Sequence, residues 1–329
     1  MFIFNTMNLF FGIIIFIIVF LIYIHITNQY KISNDMEVYE LDYKSNIILQ
    51  DTCEIRQPIV FEMPSIAFDI PNFTELAQSM PRYSIYIKDL EDYYNESDTI
   101  ETVELPIFSM VELLKNDTKS RYILENNIEF LEESKLTKKI SKIDEFLSPA
   151  YTIFSQYDFL GGSQGACTPL RYHTYNSKFL VVPEGTRIRV KMTPWDSTKY
   201  LHKIMDYDAF EFRSPVNVWN PQQKYIHDMD KVQLLDFEVS SSHVLYIPPY
   251  WWYSIQYDGV TSSVIEYTYS TLVNRIAYIG DIGRHWLQQQ NIVSKVTKTK
   301  TLNKSIIPIT NFMEDQENIE YQEDVPIDE

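Results

Sequence analysis

Two short stretches hold side chains able to do chemistry: TPLRYH at 168–173 and IPPYWWYSIQ at 247–256. The first supplies Arg171 and His173, the second Trp251, Trp252 and Tyr253. A neutral imidazole is a common metal ligand. A guanidinium carries only donors and stays protonated, so it pairs with carboxylate or phosphate and repels a cation. A phenol binds metal as phenolate, which needs about three pK units of help at neutral pH. Asp258, Glu266 and His243 lie on neighbouring runs as further candidates. A histidine inside a strand, like His243, more often serves as a hydrogen-bonded or surface residue than as a ligand. Two cysteines, Cys53 and Cys167, are too few for a thiolate cage or a disulfide framework.

The segments that must position these residues are β-rich from residue 151 onward. NSKFLVVPEG, TRIRVKMTPW, VQLLDFEVSS, SHVLYIPPYWW, YSIQYDG and TSSVIEYTYS are short runs punctuated by Gly, Pro, Asp or Ser. Strands at that spacing without intervening helices predict an antiparallel barrel or double-sheet jelly roll. Upstream, QPIVFEM (57–63) and YSIYIKDL (83–90) read as strands, and 104–116 and 138–147 have helical spacing. TLVNRIAYIGDIGRHWLQQQ (271–290) reads as closing helices. Arg187 and Arg189 share one face of their strand by period two.

The run from Leu9 to Ile26 is almost unbroken apolar sequence. Its eighteen residues span about 27 Å as a helix, against a hydrocarbon core of about 30 Å. It has no basic n-region and no small-residue cleavage site after it, so it reads as a retained single-pass anchor rather than a signal peptide. The resulting division is an anchor at 1–30, a polar tether at 31–54, a main domain at 55–292 with its barrel at about 151–270, and a tail at 293–329. From Ser305 the tail carries eight acids and no Lys or Arg, the composition of an acidic disordered segment. The formal net charge of −17 excludes nucleic acid as the main partner, because a phosphate backbone needs a basic face.

Several blocks, in this order, resemble the JmjC-like cupin family, and within it the cupin-8 group that includes the asparaginyl hydroxylase of hypoxia-inducible factor. They are IRQPIVF (55–61), LGGSQGACTPLRYHTYNSKFLVVPEGTRIRVKMTPW (160–195), FEVSSSHVLYIPPYWWYSIQY (237–257) and SSVIEYTY (262–269). The resemblance covers roughly residues 55 to 290 and implies a mainly β, double-stranded β-helix (a jelly-roll cupin) with flanking helices. Active members hold Fe(II) through two histidines and one carboxylate, and use 2-oxoglutarate and oxygen to modify a side chain. Aligned on Thr168-Pro169, the first histidine position falls on Arg171 and the carboxylate position on His173; with the register slid by two, His173 takes the first histidine position and the carboxylate position falls on Tyr175, so either register lacks the acid. The second histidine position falls on Tyr253. At most one imidazole of the triad survives.

The resemblance also implies that Thr168 contacts the cosubstrate and that Arg187 stands near the lysine that pairs with its distal carboxylate. Arg171, at a metal position, then requires an anion or an internal acid such as Glu266. Trp251 and Trp252 read either as core aromatics or as the lining of a ligand groove. The expectation is a membrane-anchored cupin-like protein without the iron triad and without cofactor, acting as a non-catalytic binding or scaffolding protein with protein partners. An oxygenase with a rebuilt site, needing Fe(II) and 2-oxoglutarate, and a structural membrane or virion component of large-DNA-virus type are the alternatives. Relatives dimerise through C-terminal helices, so the resemblance makes 271–290 a candidate homodimer surface.

Overall fold

The computed structural model describes residues 2–63, 71–94, 100–259 and 263–290. The expected tail at 293–329 lies outside them. The strands in chain order are β1 (Tyr39–Leu41), β2 (Ile59–Glu62), β3 (Ser84–Asp89), β4 (Thr102–Pro106), β5 (Tyr122–Leu124), β6 (Thr152–Gly162), β7 (Arg171–Tyr172) and β8 (Ser177–Val182). After them come β9 (Ile188–Thr193), β10 (Ile204–Asp206), β11 (Glu211–Arg213), β12 (Leu235–Val239), β13 (His243–Ile247), β14 (Trp252–Tyr257) and β15 (Ser263–Thr271). They form two sheets, ordered β1-β2-β13-β8-β15-β6-β5-β3-β4 and β10-β11-β7-β14-β9-β12.

The sheets pack face to face. Alternation along β8 shows how one strand serves two cores. Leu180 and Val182 point between the sheets, where they join Ile188, Val190, Met192, Ile255 and Tyr257 of the smaller sheet. Phe179 and Val181 point the other way, into a core capped by helices that contribute Leu49, Phe73, Leu76, Ile107 and Met110. A strand covered on both sides reads as a continuous apolar run, which is why FLVV shows no polar alternation. Gly162, at the end of β6, is needed for close approach. A Cβ there would sit 2.6 Å from Tyr257 Cδ2 and 3.1 Å from the Tyr122 carbonyl oxygen. Gly162→Ala is expected to cost about 1–3 kcal/mol, read as a lower urea midpoint with an unchanged slope.

Of the strands before residue 151, β2 and β3 fall on the runs 57–63 and 83–90, as expected. β1 to β5 extend the larger sheet at both edges. The polar stretch 31–54, expected to be a tether, is instead built into the body. β1 pairs in parallel with β2, and the helix Asn46–Cys53 buries Leu49 and Cys53 in the core. Within NIILQDTC the apolar Ile47 and Ile48 are exposed while Leu49 and Cys53 are buried, so the run shows no clean apolar stripe. Helices Leu272–Ala277 and Ile279–Gln290 occupy 271–290 as the spacing predicts.

One helix, Phe2–Tyr30, holds the apolar segment Leu9–Asn28, long and apolar enough to cross a membrane. Its last turns dock on the body. Ile24 and Asn28 are buried, His25 Nδ1–H donates to the Ala277 carbonyl at 2.6 Å, and Arg56 donates to Asn28 Oδ1 at 2.9 Å.

Candidate functional site

Between the sheets at one end lies a cavity of about 130 Å³. Arg171, His173 and Tyr253, the three positions that the resemblance aligns with metal ligands, all line it, as do Lys88, Glu125, Asp158, Lys178, Glu211 and Glu266. Strand pairing brings them together. Tyr253 of β14 lies directly opposite Arg171 of β7, and the guanidinium carbon stands 5.9 Å from the Tyr253 ring centroid. His173 follows two residues later, with its ring centroid 6.4 Å from that of Tyr253.

Arg171 points inward and is neutralised from within the chain. It forms a two-pronged ion pair with Glu125, one prong at 3.0 Å, and reaches Glu211 at 3.4 Å. Glu125, only 2% exposed, also receives Lys88 at 3.5 Å. Burial by itself would raise the Glu125 pKa. The charges of Arg171 and then Lys88 overcome that and hold the carboxyl at about 2. The acid expected to balance Arg171, Glu266, serves a different cation: it pairs with Lys178, which lies two residues from it across the β8–β15 ladder. Three cations and three carboxylates therefore balance inside one cavity. Asp158 is a fourth acid, pushed up to about 7 by burial and then by Glu266, against hydrogen bonds from the backbone of Asn127 and Asn126.

The remaining candidates do not make up a ligand set: His173 is a single neutral imidazole, the form that can ligate, and Tyr253 is held as a phenol. His173 Nε2–H donates to the Ile247 carbonyl at 3.0 Å. Burial, and next the Lys178 charge, drop its pKa well below the usual imidazole value, so the ring is neutral at pH 7. Burial raises the Tyr253 phenol, opposed by Lys178 and Arg171, so phenolate ligation is disfavoured. Among the described residues no three His, Cys, Asp or Glu side chains are grouped to hold a metal ion. Fe(II) does not fit this donor set, whose central position is taken by a paired guanidinium.

Four residues expected to bind ligand lie elsewhere. Thr168 is fully buried, and its hydroxyl accepts the Ile255 N–H at 2.9 Å, tying the 168 segment to β14. Arg187 is 59% exposed and pairs with Asp258 and Glu238 on the surface, since the inward positions of β9 are Ile188, Val190 and Met192. Trp251 is core between the sheets. Trp252 points to a third apolar cluster and donates to Thr198 Oγ1 at 2.8 Å. His243 hydrogen-bonds the Ser241 carbonyl at 2.8 Å, away from the cavity. The residues the sequence did not mark are Glu125, Lys88, Glu211, Lys178 and Asp158. Lys178 alone left a trace, as a charge opening the buried run KFLVV.

Comparison with known proteins gives a partial match. Over 105 residues the chain is 30% identical to HSPB1-associated protein 1 of Homo sapiens, which is 31% of this chain and 21% of that protein. The Bos taurus protein of the same name matches equally, over 22% of its length. The chain thus spans about a fifth of the curated relatives it matches. No protein-family model matches it.

Proposed function

We propose that the chain is a membrane-anchored, JmjC-like cupin protein of jelly-roll type that has lost the iron triad and serves as a non-catalytic binding or scaffolding protein. The observation that carries this is Arg171. At the first metal position stands a permanent cation, held in place by a buried carboxylate that belongs to the fold. The two-sheet architecture and the ordered sequence blocks support the family, and the chain is in part similar to HSPB1-associated protein 1. The apolar segment Leu9–Asn28 supports single-pass attachment.

A protein that has kept the cavity but filled it with its own ion pairs gains a rigid body rather than a reaction centre. Low-dielectric surroundings make those pairs strong only while every member is present. Its partners then meet the outer surface.

The test uses the full chain, purified anaerobically in detergent with Fe(II) supplied, followed by metal analysis and 2-oxoglutarate titration calorimetry. The expected result is no stoichiometric iron and no iron-dependent heat of oxoacid binding. One equivalent of iron, lost in His173→Ala, would overturn the proposal in favour of an oxygenase with rebuilt ligands.

A further inference from the structure

We infer that a collar of apolar side chains around the exit of the N-terminal helix inserts into the interfacial layer of the bilayer, seating the body on the lipid surface in one fixed orientation. This rests on the helix being a membrane span.

Five large apolar residues of the body are strongly exposed near that exit: Tyr151 (91%), Ile47 (76%), Val273 (59%), Leu272 (56%) and Ile153 (56%). The fold gathers them from three elements. Thr152 pairs with Thr271 in the β6–β15 ladder, which sets Tyr151 and Ile153 beside the start of the Leu272–Ala277 helix. Asn46 Nδ2–H donates to the Ser148 carbonyl at 2.9 Å, which brings the Ile47 turn to the same edge. Tyr23 and Thr27 of the apolar helix border one cleft with Ala150 and Val273. Tyr151 also has a φ of 59°, a left-handed conformation uncommon outside glycine, with its ring held out in solvent.

The occupant follows from the attachment. The last turns of the span are fixed to the body by His25 on Ala277 and Arg56 on Asn28. No flexible linker separates the end of the span from the Leu272–Ala277 helix. If Leu9–Ile26 fills the hydrocarbon core, Val273, level with Tyr23 and Thr27, lies at its boundary. Aromatic and apolar side chains favour that layer. The five side chains carry no charge, so the contact is apolar burial and tolerates salt, unlike attraction to anionic headgroups.

The experiment uses the full chain reconstituted in phosphatidylcholine vesicles, in a Cys167→Ser background. An environment-sensitive dye is placed at Tyr151→Cys, at Val273→Cys, at Phe16→Cys within the span, or at Glu184→Cys. Glu184 is exposed and lies past the far end of β8, about 20 Å away at about 3.3 Å per residue. The expected result is blue-shifted emission at 151 and 273, quenching there by shallow nitroxide lipids, and protection from iodide, with the opposite at 184 and no change in high salt. Lipid quenching at 16 with 151 and 273 behaving like 184 would overturn the collar and leave the span intact. Absence of lipid quenching at 16 would remove the span and the collar together. Protection at 151 and 273 that appears only as the protein-to-lipid ratio rises would assign the face to a second copy instead, the homodimer contact expected for 271–290.

Discussion

Arg171→Ala is expected to destabilise the folded protein by about 3–5 kcal/mol, the cost of leaving a buried carboxylate without its partner. Glu125 is the group left behind. It is 2% exposed, and its remaining cation, Lys88, stands at the longer distance of 3.5 Å. Urea unfolding of the full chain in detergent, followed by tryptophan fluorescence, reads the loss as a lower midpoint. The double variant Arg171→Met with Glu125→Gln should recover roughly 2 kcal/mol of it, because glutamine still accepts from Lys88 and one cation and one carboxylate are removed together, which keeps the net charge of the cavity unchanged. A single-variant loss below about 1 kcal/mol would mean that the pair is solvated, as surface ion pairs are.

The same pair fixes an acid limb. The Glu125 carboxyl lies at about 2 in the folded state against 4.5 as a free side chain. A depressed carboxyl pKa gives stability that is complete above the unfolded value and is lost as pH falls through the folded one. The pair's contribution should therefore be full above about pH 4.5 and disappear toward pH 2, and Arg171→Ala should lack that limb.

What the sequence made legible follows from period and motif. Alternation in TRIRVKM placed Arg187 and Arg189 on one face, and that face is the outer one. Period two also explains why adjacent tryptophans part company: Trp251 enters the core between the sheets and Trp252 a different apolar cluster. Neither reaches the cavity. The block alignment brought Arg171, His173 and Tyr253 to one place, because β7 and β14 are neighbours. The balancing charges were not legible. Glu125 sits 46 residues before Arg171 and arrives through β5, a three-residue strand too short to show a period. Glu266 is the nearby acid by sequence pattern, but Lys178 on the adjoining strand takes it first. Which acid meets which base depends on sheet order, and no local pattern encodes that.

Asp158 should make the stability fall as pH rises from about 4 to about 7. Its carboxyl is held at about 7 in the fold, against 3.8 as a free side chain. Burial and the neighbouring Glu266 charge favour the proton. The backbone N–H groups of Asn126, Asn127 and Phe159, all within 2.8 Å, favour the anion and are outweighed. A raised folded pKa gives stability that is full below the unfolded value and is lost as pH climbs through the folded one. Each pH unit in that window removes about 1.4 kcal/mol, or about 4 kcal/mol across it as an order of magnitude. Asp158→Asn cannot titrate, so the difference between variant and wild-type stability should climb in the variant's favour from pH 4 to pH 7 and then level off. A constant offset of about 1 kcal/mol beneath that slope is expected from the N–H that an amide nitrogen cannot accept. A flat difference, with the variant weaker at every pH, would show the carboxyl ionised throughout and the three N–H donors in control. Subtracting the two curves removes the other titrating groups, which makes the slope between pH 4 and 7 a direct reading of how strongly the cavity resists a further negative charge.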